Sequence, residues 1–156
     1  MVVSGETGTG KEVVARRIHD VSGRSGPFVA VNCAALSETL LSSELFGHVR
    51  GAFTGAVSDQ QGLFRTANNG TLLLDEMSDM PRSLQACLLR VLETGSVRPV
   101  GASRDVPVNT RIIATSNVDL IELVRAAKFR PDLYARLSQW TIRVPSLRAR
   151  RGDIPG

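Results

Sequence analysis

Apolar residues along this chain alternate between short continuous runs and repeats at the spacing of one helical face. The continuous runs predict strands over about 1–3, 28–32, 71–74, 111–115 and 140–144. The periodic segments predict helices over about 11–22, 37–46, 83–94 and 119–127, with a further short helix from Pro131. Because strands alternate with helices, we predict an α/β fold with helices on both faces of a mainly parallel sheet.

Capping residues and glycines indicate where these elements end. Ser37 is a candidate N-cap, and Gly47 and Gly95 are expected to end the helices that precede them. Residues 47–62 form a glycine-dense loop, and short β-like pieces within 97–109 predict a hairpin. No internal repeat divides the chain.

Composition restricts the class of protein more than its function. The 156 residues are 42% hydrophobic, 22% charged and only 4% aromatic, which is typical of one globular domain with an aliphatic core. No apolar run approaches a membrane span, and nothing at the N-terminus resembles a signal peptide. Cys33 and Cys87 lack metal-ligand spacing and predict two buried thiols in a reduced, cytoplasmic protein.

The net charge of +4 raises nucleic acid as a class of partner. However, basic residues concentrate near the C-terminus, at Arg143, Arg148, Arg150 and Arg151. A solvated face, or a face that meets further residues, explains this cluster at least as well as DNA binding does.

The stretch Gly5 to Glu12 reads G-E-T-G-T-G-K-E and lies between a predicted strand and a predicted helix. Its G-x-x-x-x-G-K core is typical of a phosphate-binding loop, in which backbone N–H groups, Lys11 and a helix N-terminus face an anion. The alternative is a glycine-rich turn that binds nothing, which the strand–turn–helix context disfavours. Glu12 occupies the position where Ser or Thr normally offers a hydroxyl to magnesium.

Asp75 and Glu76 follow a strand that is expected to be buried on both faces. They therefore lie at the carboxyl edge of the sheet, where open α/β folds bind ligands. There Asp75 can hold magnesium, and Glu76 can activate or orient a water for attack on a γ-phosphate. An acidic pair that caps the next helix is the alternative.

Three further polar residues have both a functional and a structural interpretation. Asn117 follows a strand and can sense a γ-phosphate, or it can be an ordinary turn residue. Arg130 and Arg136 can serve a neighbouring subunit's phosphates. Alternatively, Asp132 and Arg136, at i and i+4, form a surface ion pair. Sequence spacing does not separate these interpretations.

The segment Gly51–Ala52–Phe53–Thr54–Gly55–Ala56 has glycines at both ends and a phenylalanine between them. Glycines suggest hinges, and Phe53 at a loop tip suggests an apolar contact offered to a partner. The alternative is a turn with Phe53 folded back into the core. The two histidines have no partner at ligand or triad spacing and are assigned no chemistry.

Seven segments, in order along the chain, together resemble the central ATPase domain of bacterial enhancer-binding proteins, which activate sigma-54 RNA polymerase. They are G-E-T-G-T-G-K-E at 5–12, V-N-C-A-A-L at 31–36, E-L-F-G-H-V-R-G-A-F-T-G-A at 44–56, A-N-N-G-T-L-L-L-D-E-M at 67–77, A-T-S-N-V-D-L at 114–120, F-R-P-D-L-Y-A-R-L at 129–137 and V-P-S-L-R-A-R-R-G-D-I-P at 144–155. The intact G-A-F-T-G-A is the most specific of them, because other ATPases of this class lack it. Glu after the lysine is also a mark of this family, so magnesium would depend on Asp75 and water.

The resemblance implies an AAA+ P-loop NTPase with a doubly wound, mainly parallel sheet, working with ATP and Mg²⁺ in a ring that is usually of six. The nucleotide would be held by Gly5, Glu6, Thr7, Gly8, Thr9, Gly10, Lys11, Glu12, Asp75 and Glu76. Asp75 would hold the metal. Catalytic roles would fall to Glu76, Asn117, Arg130, Arg136 and Asn32, of which Asn32 would couple nucleotide state to Glu76.

The resemblance also implies the partners. Sigma-54 RNA polymerase would be contacted through residues 51–56, and DNA only through a helix-turn-helix domain outside this chain; no membrane contact is expected. Residues 1–156 are expected to be the α/β subdomain without its C-terminal helical lid and without residues before Met1 that help hold adenine. A nucleotide-responsive binding module without turnover is therefore the alternative to an ATPase. Another AAA+ machine, such as a helicase, is disfavoured by G-A-F-T-G-A.

Overall fold

A computed structural model, which describes residues 1–153, contains seven β-strands and six α-helices. The strands are β1 Val2–Ser4, β2 Phe28–Asn32, β3 Thr71–Asp75, β4 Ser96–Val97, β5 Val106–Pro107, β6 Arg111–Ser116 and β7 Thr141–Arg143. The α-helices are α1 Lys11–Val21, α2 Glu38–Phe46, α3 Leu63–Thr66, α4 Arg82–Thr94, α5 Leu120–Arg125 and α6 Pro131–Leu137. Short 3-10 helices span Met77–Asp79 and Leu147–Asp153.

The main sheet has the strand order β2-β3-β6-β1-β7, and all its neighbouring strands run parallel. Strands β3, β6 and β1 are neighbours in this order. Because they run parallel, their carboxyl ends lie at the same edge of the sheet. The register pairs Ser4 with Ser116 and Asn32 with Asp75. The sheet therefore brings the beginning of the glycine loop and the acidic pair to the same carboxyl edge, as predicted.

Both faces of the sheet are buried, which confirms helices on both sides. Leu73, Ile113 and Val3 point to one face and pack with Ala15 of α1. Residues one position away in the strands, such as Leu72 and Leu74, point to the other face and join the larger cluster formed with α2, α4, α5 and α6. Alternation along each strand thus gives two apolar faces, which explains why these strands are continuously apolar.

The predicted N-cap at Ser37, the helix ends at Gly47 and Gly95, and the hairpin are confirmed. The Ser37 hydroxyl accepts a hydrogen bond from the N–H of Leu40 at 3.4 Å. Gly47 and Gly95 end their helices with φ of 78° and 67°, values that favour glycine. Strands β4 and β5 pair antiparallel within the predicted hairpin region. Helix α5 is shorter than predicted, and α3 and the two 3-10 helices have too few residues for a periodic pattern to reveal them.

One prediction about the thiols is wrong. Cys33 is buried, but Cys87 is exposed because the buried stripe of α4 is formed by Leu84, Leu88 and Val91, and residue 87 lies beside it. None of the described helices is long and apolar enough to cross a bilayer. The last predicted segment, 144–155, extends past the described residues at its end.

Candidate nucleotide site

The glycine loop runs from the end of β1 to the beginning of α1. Gly8 and Gly10 adopt φ of 78° and 86°, so both positions require the left-handed backbone that glycine permits. Within the turn, the hydroxyl of Thr9 donates to the carbonyl of Glu6 at 2.8 Å. Gly5 lies so close to β7 that an added Cβ would be 2.7 Å from the carbonyl oxygen of Val144. The loop therefore packs closely against the chain at Gly5 and has two left-handed residues, Gly8 and Gly10, before α1 begins.

Lys11 is the first residue of α1 and is 8% exposed. Its Nζ donates to the carbonyls of Gly5 and Glu6, each at 2.9 Å, so the ammonium group lies over the loop. The backbone N–H groups of Thr7, Gly8 and Gly10 donate to no residue within the described chain. A cation beside free amide N–H groups at a helix N-terminus is a fitting environment for phosphate oxygens.

Asp75 ends β3, and Glu76 follows it with φ of 53°, a left-handed conformation that is uncommon for a residue with a side chain. The hydroxyl of Thr115 on β6 donates to Asp75 Oδ1, and the oxygen of this hydroxyl accepts the backbone N–H of Glu76 at 3.1 Å. Both acids are half-buried. Backbone strain of this kind clusters at functional sites and requires a surrounding structure that holds it.

The acidic pair fits a magnesium ion that also coordinates phosphate and water. Among the described residues, no group of three His, Cys, Asp or Glu side chains could hold a metal by itself. Mg²⁺ usually takes one or two carboxylates and completes its shell with phosphate oxygens and water, so Asp75 suffices as the protein ligand. The carboxylate of Glu12 faces solvent and lies 3.8 Å from Arg16, with both side chains 57% exposed.

Asn117 lies at the loop, as predicted. Its Nδ2 donates to the hydroxyl of Thr7 at 3.3 Å, and the neighbouring carbonyl of Ser116 accepts the N–H of Gly5 at 3.2 Å. The turn after β6 is thus joined to the glycine loop by a side-chain bond and a backbone bond.

Asn32 ends β2 beside Asp75 in the register, but its side chain turns to the local backbone. Its Oδ1 accepts the N–H of Ala34 at 2.8 Å, and no hydrogen bond to Glu76 is found within the described chain. Its predicted role in coupling nucleotide state to Glu76 therefore has no direct contact in this conformation.

Arg130 and Arg136 make no hydrogen bond or ion pair with the acidic pair within the described chain, and the ion pair of Asp132 with Arg136, the structural alternative, does not form. Asp132 pairs instead with Arg130, at 2.8 Å, while Arg136 donates to the carbonyl of Leu92 at 3.1 Å. The hydrogen bond from Arg130 lowers the pKa of Asp132 to about 2, and the same bond raises the pKa of Arg130. Spacing of i and i+4 suggested the wrong partner because Arg130 precedes the helix and its side chain reaches forward to Asp132 in the first turn.

Sequence reasoning missed Gln85, a fully buried amide on α4. Its Nε2 donates to the carbonyls of Met80 at 2.9 Å and Lys128 at 3.1 Å, and its Oε1 accepts the N–H of Arg130 at 2.9 Å. Gln85 thus connects the segment that follows Glu76 to the start of α6. A polar residue within the apolar stripe of α4 was the signal that could have identified it.

Residues 51–56 form a loop closed on itself by a hydrogen bond from the N–H of Gly51 to the carbonyl of Ala56 at 2.8 Å. Thr54 is exposed, whereas Phe53 is half-buried and packs edge-on against His48, with ring centroids 4.9 Å apart. His48 is itself buried, and its Nδ1 lies 2.6 Å from the hydroxyl of Ser43. Phe53 therefore neither projects freely at the tip nor enters the main core.

A buried thiol, a cleft and two basic side chains lie close to the loop and the acidic pair. Burial, with the carboxylates of Asp75, Asp79 and Glu76 nearby, raises the pKa of Cys33 to about 12, so this thiol stays protonated. A cleft of about 730 Å³ opens beside the loop and is lined by Gly5, Glu6 and Asn117, but not by Lys11 or the acidic pair. Of the basic cluster near the C-terminus, two residues reach the loop: Arg148 lies 3.3 Å from Glu6, and Arg150 donates to the carbonyl of Thr9 at 3.2 Å.

Comparison with known proteins gives the same assignment as the motifs. Residues 1–143 match the family model of the Sigma-54 interaction domain. The transcriptional regulatory protein GlrR of Escherichia coli (strain K12) is 53% identical over 156 residues, which cover 99% of this chain and 35% of that protein. The Sigma54-dependent transcriptional activator SfnR of Pseudomonas putida is 52% identical over 155 residues, covering 99% and 42%. The chain thus spans less than half the length of these relatives.

A solved structure agrees with the fold. The crystal structure of NtrX from Brucella abortus in complex with ATP superposes with a TM-score of 0.89 at 41% identity, covering 99% of this chain and 35% of that one. The predicted parallel α/β fold of the AAA+ class is thereby confirmed.

Proposed function

The chain belongs to the family of sigma-54 interaction domains found in sigma-54-dependent transcriptional activators, and on this premise we propose that it hydrolyses ATP to remodel a closed complex of sigma-54 RNA polymerase. The observation that carries the proposal is the convergence of three groups at one sheet edge. These groups are the loop with Lys11, the acidic pair at Asp75 and Glu76, and Asn117.

Each of these groups has a role that its position supports. Lys11 and the free N–H groups of Thr7, Gly8 and Gly10 bind phosphate oxygens of ATP. Asp75 holds Mg²⁺, which neutralises phosphate charge when bound. Glu76, whose left-handed backbone turns away from the strand, orients the attacking water or takes a proton from it. Asn117, which contacts the loop through Thr7, senses the γ-phosphate.

Arg130 and Arg136 complete the site of a neighbouring subunit in a ring, usually of six. In the described chain their side chains contact Asp132 and the carbonyl of Leu92, and not the loop or the acidic pair. A guanidinium that lies away from its own catalytic edge is suited to serve another subunit's phosphates, where it stabilises transition-state charge. Arg130 would then leave Asp132 or share its guanidinium between two acceptors.

Residues 51–56 contact sigma-54 in this proposal, with Thr54 exposed at the contact and Phe53 held near the loop's base. DNA is contacted only through a helix-turn-helix domain outside this chain. The protein acts in the cytoplasm, where transcription takes place, and uses ATP and Mg²⁺.

Steady-state ATPase measurements on the chain test the proposal. We expect magnesium-dependent hydrolysis whose specific activity rises with protein concentration, because each site is completed in trans. Arg130→Ala, Arg136→Ala and Glu76→Gln should each lower turnover by about 100-fold or more. Arg125→Ala is the matched control, since Arg125 is 71% exposed and pairs only with Glu122 within the described chain.

Mixing two inactive variants distinguishes action in trans from action in cis. A ring with both Arg130→Ala and Glu76→Gln subunits contains some interfaces with an intact Glu76 on one side and an intact Arg130 on the other. Partial recovery of activity on mixing is therefore expected. Activity of Arg130→Ala and Arg136→Ala equal to the parent would contradict the trans assignment, and nucleotide binding without any turnover would favour the binding-module alternative.

A further inference from the structure

Thr115 is a fully buried residue on β6, in the strand that separates the acidic pair on β3 from the glycine loop on β1. Its hydroxyl makes two hydrogen bonds at once. It donates to Oδ1 of Asp75, and it accepts the backbone N–H of Glu76 at 3.1 Å. One side-chain atom of a neighbouring strand therefore contacts both residues of the acidic pair.

The direction of these bonds is fixed by chemistry. A hydroxyl has one hydrogen, so its donor is used on Asp75 and its lone pair on Glu76. Asp75 Oδ1 thereby accepts one hydrogen bond, whereas Oδ2 accepts none within the described chain and is available to a cation or water. The N–H of Glu76 belongs to a residue with φ of 53°, whose backbone has left the strand and needs a local acceptor.

The glycine loop cannot supply this hydroxyl. Its position after the lysine, which often carries Ser or Thr, is Glu12, and that carboxylate faces solvent beside Arg16. The two loop hydroxyls have other partners: Thr9 donates to the carbonyl of Glu6, and Thr7 accepts the Nδ2 group of Asn117 at 3.3 Å. Within the described residues, the hydroxyl that reaches Asp75 comes from β6 alone.

We propose that Thr115 is a positioning residue for ATP hydrolysis: its hydroxyl orients Asp75 toward magnesium and holds the backbone of Glu76 in the conformation that aims its carboxylate. The proposal rests on the proposed ATPase function and names a fully buried residue that acts through Asp75 and Glu76. Groups that orient metal ligands typically affect metal affinity or activity by about 10–100-fold when removed.

Thr115→Val tests the proposal, since it keeps the shape and the β-branching of threonine but removes the hydroxyl. We expect turnover to fall about tenfold or more, and Thr115→Ser to restore it to within about threefold of the parent. A second measurement does not depend on turnover. The factor by which Mg²⁺ tightens binding of ADP, measured by calorimetry, should shrink about tenfold in Thr115→Val, while binding of ADP without Mg²⁺ stays within about twofold.

Thr71→Val is the matched control. Thr71 is also fully buried in a central strand, and its hydroxyl lies 2.9 Å from Nδ1 of His19 at the opposite end of β3 from Asp75. It should lose similar thermal stability without a change in Mg²⁺ dependence or turnover. If Thr115→Val does not fold, Thr115→Ala, which also removes the hydroxyl, is measured in the same way.

The outcomes separate this inference from the function on which it rests. A parent chain that neither binds ADP nor hydrolyses ATP would contradict the proposed function. A parent that does both, with a folded Thr115→Val or Thr115→Ala of unchanged turnover and Mg²⁺ dependence, would overturn the role of Thr115 alone. Failure of Thr115→Ser to restore activity would also overturn it, because the hydroxyl would then not be the active feature.

Discussion

Two loops of this chain contain several glycines but differ in how they hold their central polar side chain. In residues 5–12 the lysine turns inward: Lys11 is buried, and its Nζ donates to two carbonyls of the loop itself. In residues 51–56 the polar group turns outward, since Thr54 is exposed, and the loop is closed by a backbone bond between Gly51 and Ala56.

The two loops also differ in how they are attached to the fold. Residues 5–12 lie between β1 and α1 and are tied to the turn after β6 through Gly5 and Asn117. Residues 51–56 are supported at their base by the contact of Phe53 with His48. The first loop is thus joined to the central sheet on two sides, whereas the second is supported through one aromatic contact at its base.

The largest expected effect is a loss of ATP affinity from a substitution in residues 5–12. Lys11→Ala removes the cation that the loop surrounds, so affinity for ATP should fall by about 100-fold or more, because a charge-assisted contact to phosphate is lost in a partly dry site. Affinity can be measured by fluorescence titration with a labelled ATP analogue.

Arg16→Ala is the control for Lys11→Ala, since Arg16 is an exposed cation on the same helix, paired with Glu12 at 3.8 Å. It should bind ATP within about twofold of the parent, as exposed ion pairs contribute little. Equal affinity of Lys11→Ala and the parent would show that residues 5–12 are a turn and not a phosphate site.

The next largest expected effect is a loss of sigma-54 binding from substitutions in residues 51–56. Thr54→Ala and Phe53→Ala should each reduce binding of sigma-54 by about tenfold or more, as expected for a central contact residue of an interface. ATP hydrolysis should stay within about threefold of the parent, because neither side chain contacts the nucleotide edge. Binding is measured with purified sigma-54 and an ATP analogue, and turnover in the same preparations.

Val57→Ala is a suitable control for the outward loop, because Val57 is 80% exposed and lies just outside residues 51–56. It should leave both measurements close to the parent. If Thr54→Ala and Phe53→Ala retained sigma-54 binding, the partner would have to contact another surface. If they abolished hydrolysis, the two loops would not be independent.

Sequence patterns predicted most of the fold because its strands are buried on both faces and its helices are amphipathic. Continuous apolar runs such as Leu72 to Leu74 can hardly form anything but central strands in this alternating order. The same order of elements predicts the loop, Asp75 and Asn117 at one edge of the sheet, where Asn117 contacts Thr7. Position along the sheet is therefore a property that sequence reveals well.

Contacts between distant side chains were not predictable in this way. Thr115 and Gln85 reach residues about 40 positions away in the chain, and no local pattern encodes such pairs. The spacing rule for helices selected Asp132 with Arg136, but the observed partner, Arg130, precedes the helix. The left-handed backbone of Glu76 was also missed, because it is imposed by its neighbours and not by its residue type.

The smallest effect is expected from alanine substitutions at two glycines, one in each loop, that have similar backbone conformations. Gly8 and Gly55 have φ of 78° and 97°, and a Cβ added to either would meet no atom within 4 Å. Alanine at each position should therefore cost about 1–2 kcal/mol of stability from backbone strain alone, measured by chemical denaturation.

The effects of the two substitutions on ligand binding should differ. Gly8→Ala should also weaken ATP binding, because the strained turn displaces N–H groups that face phosphate, while Gly55→Ala should change sigma-54 binding and leave ATP binding unaltered. Equal loss of ATP binding in both variants would show that the loops form one coupled unit, and the contrast between inward and outward construction would then not hold.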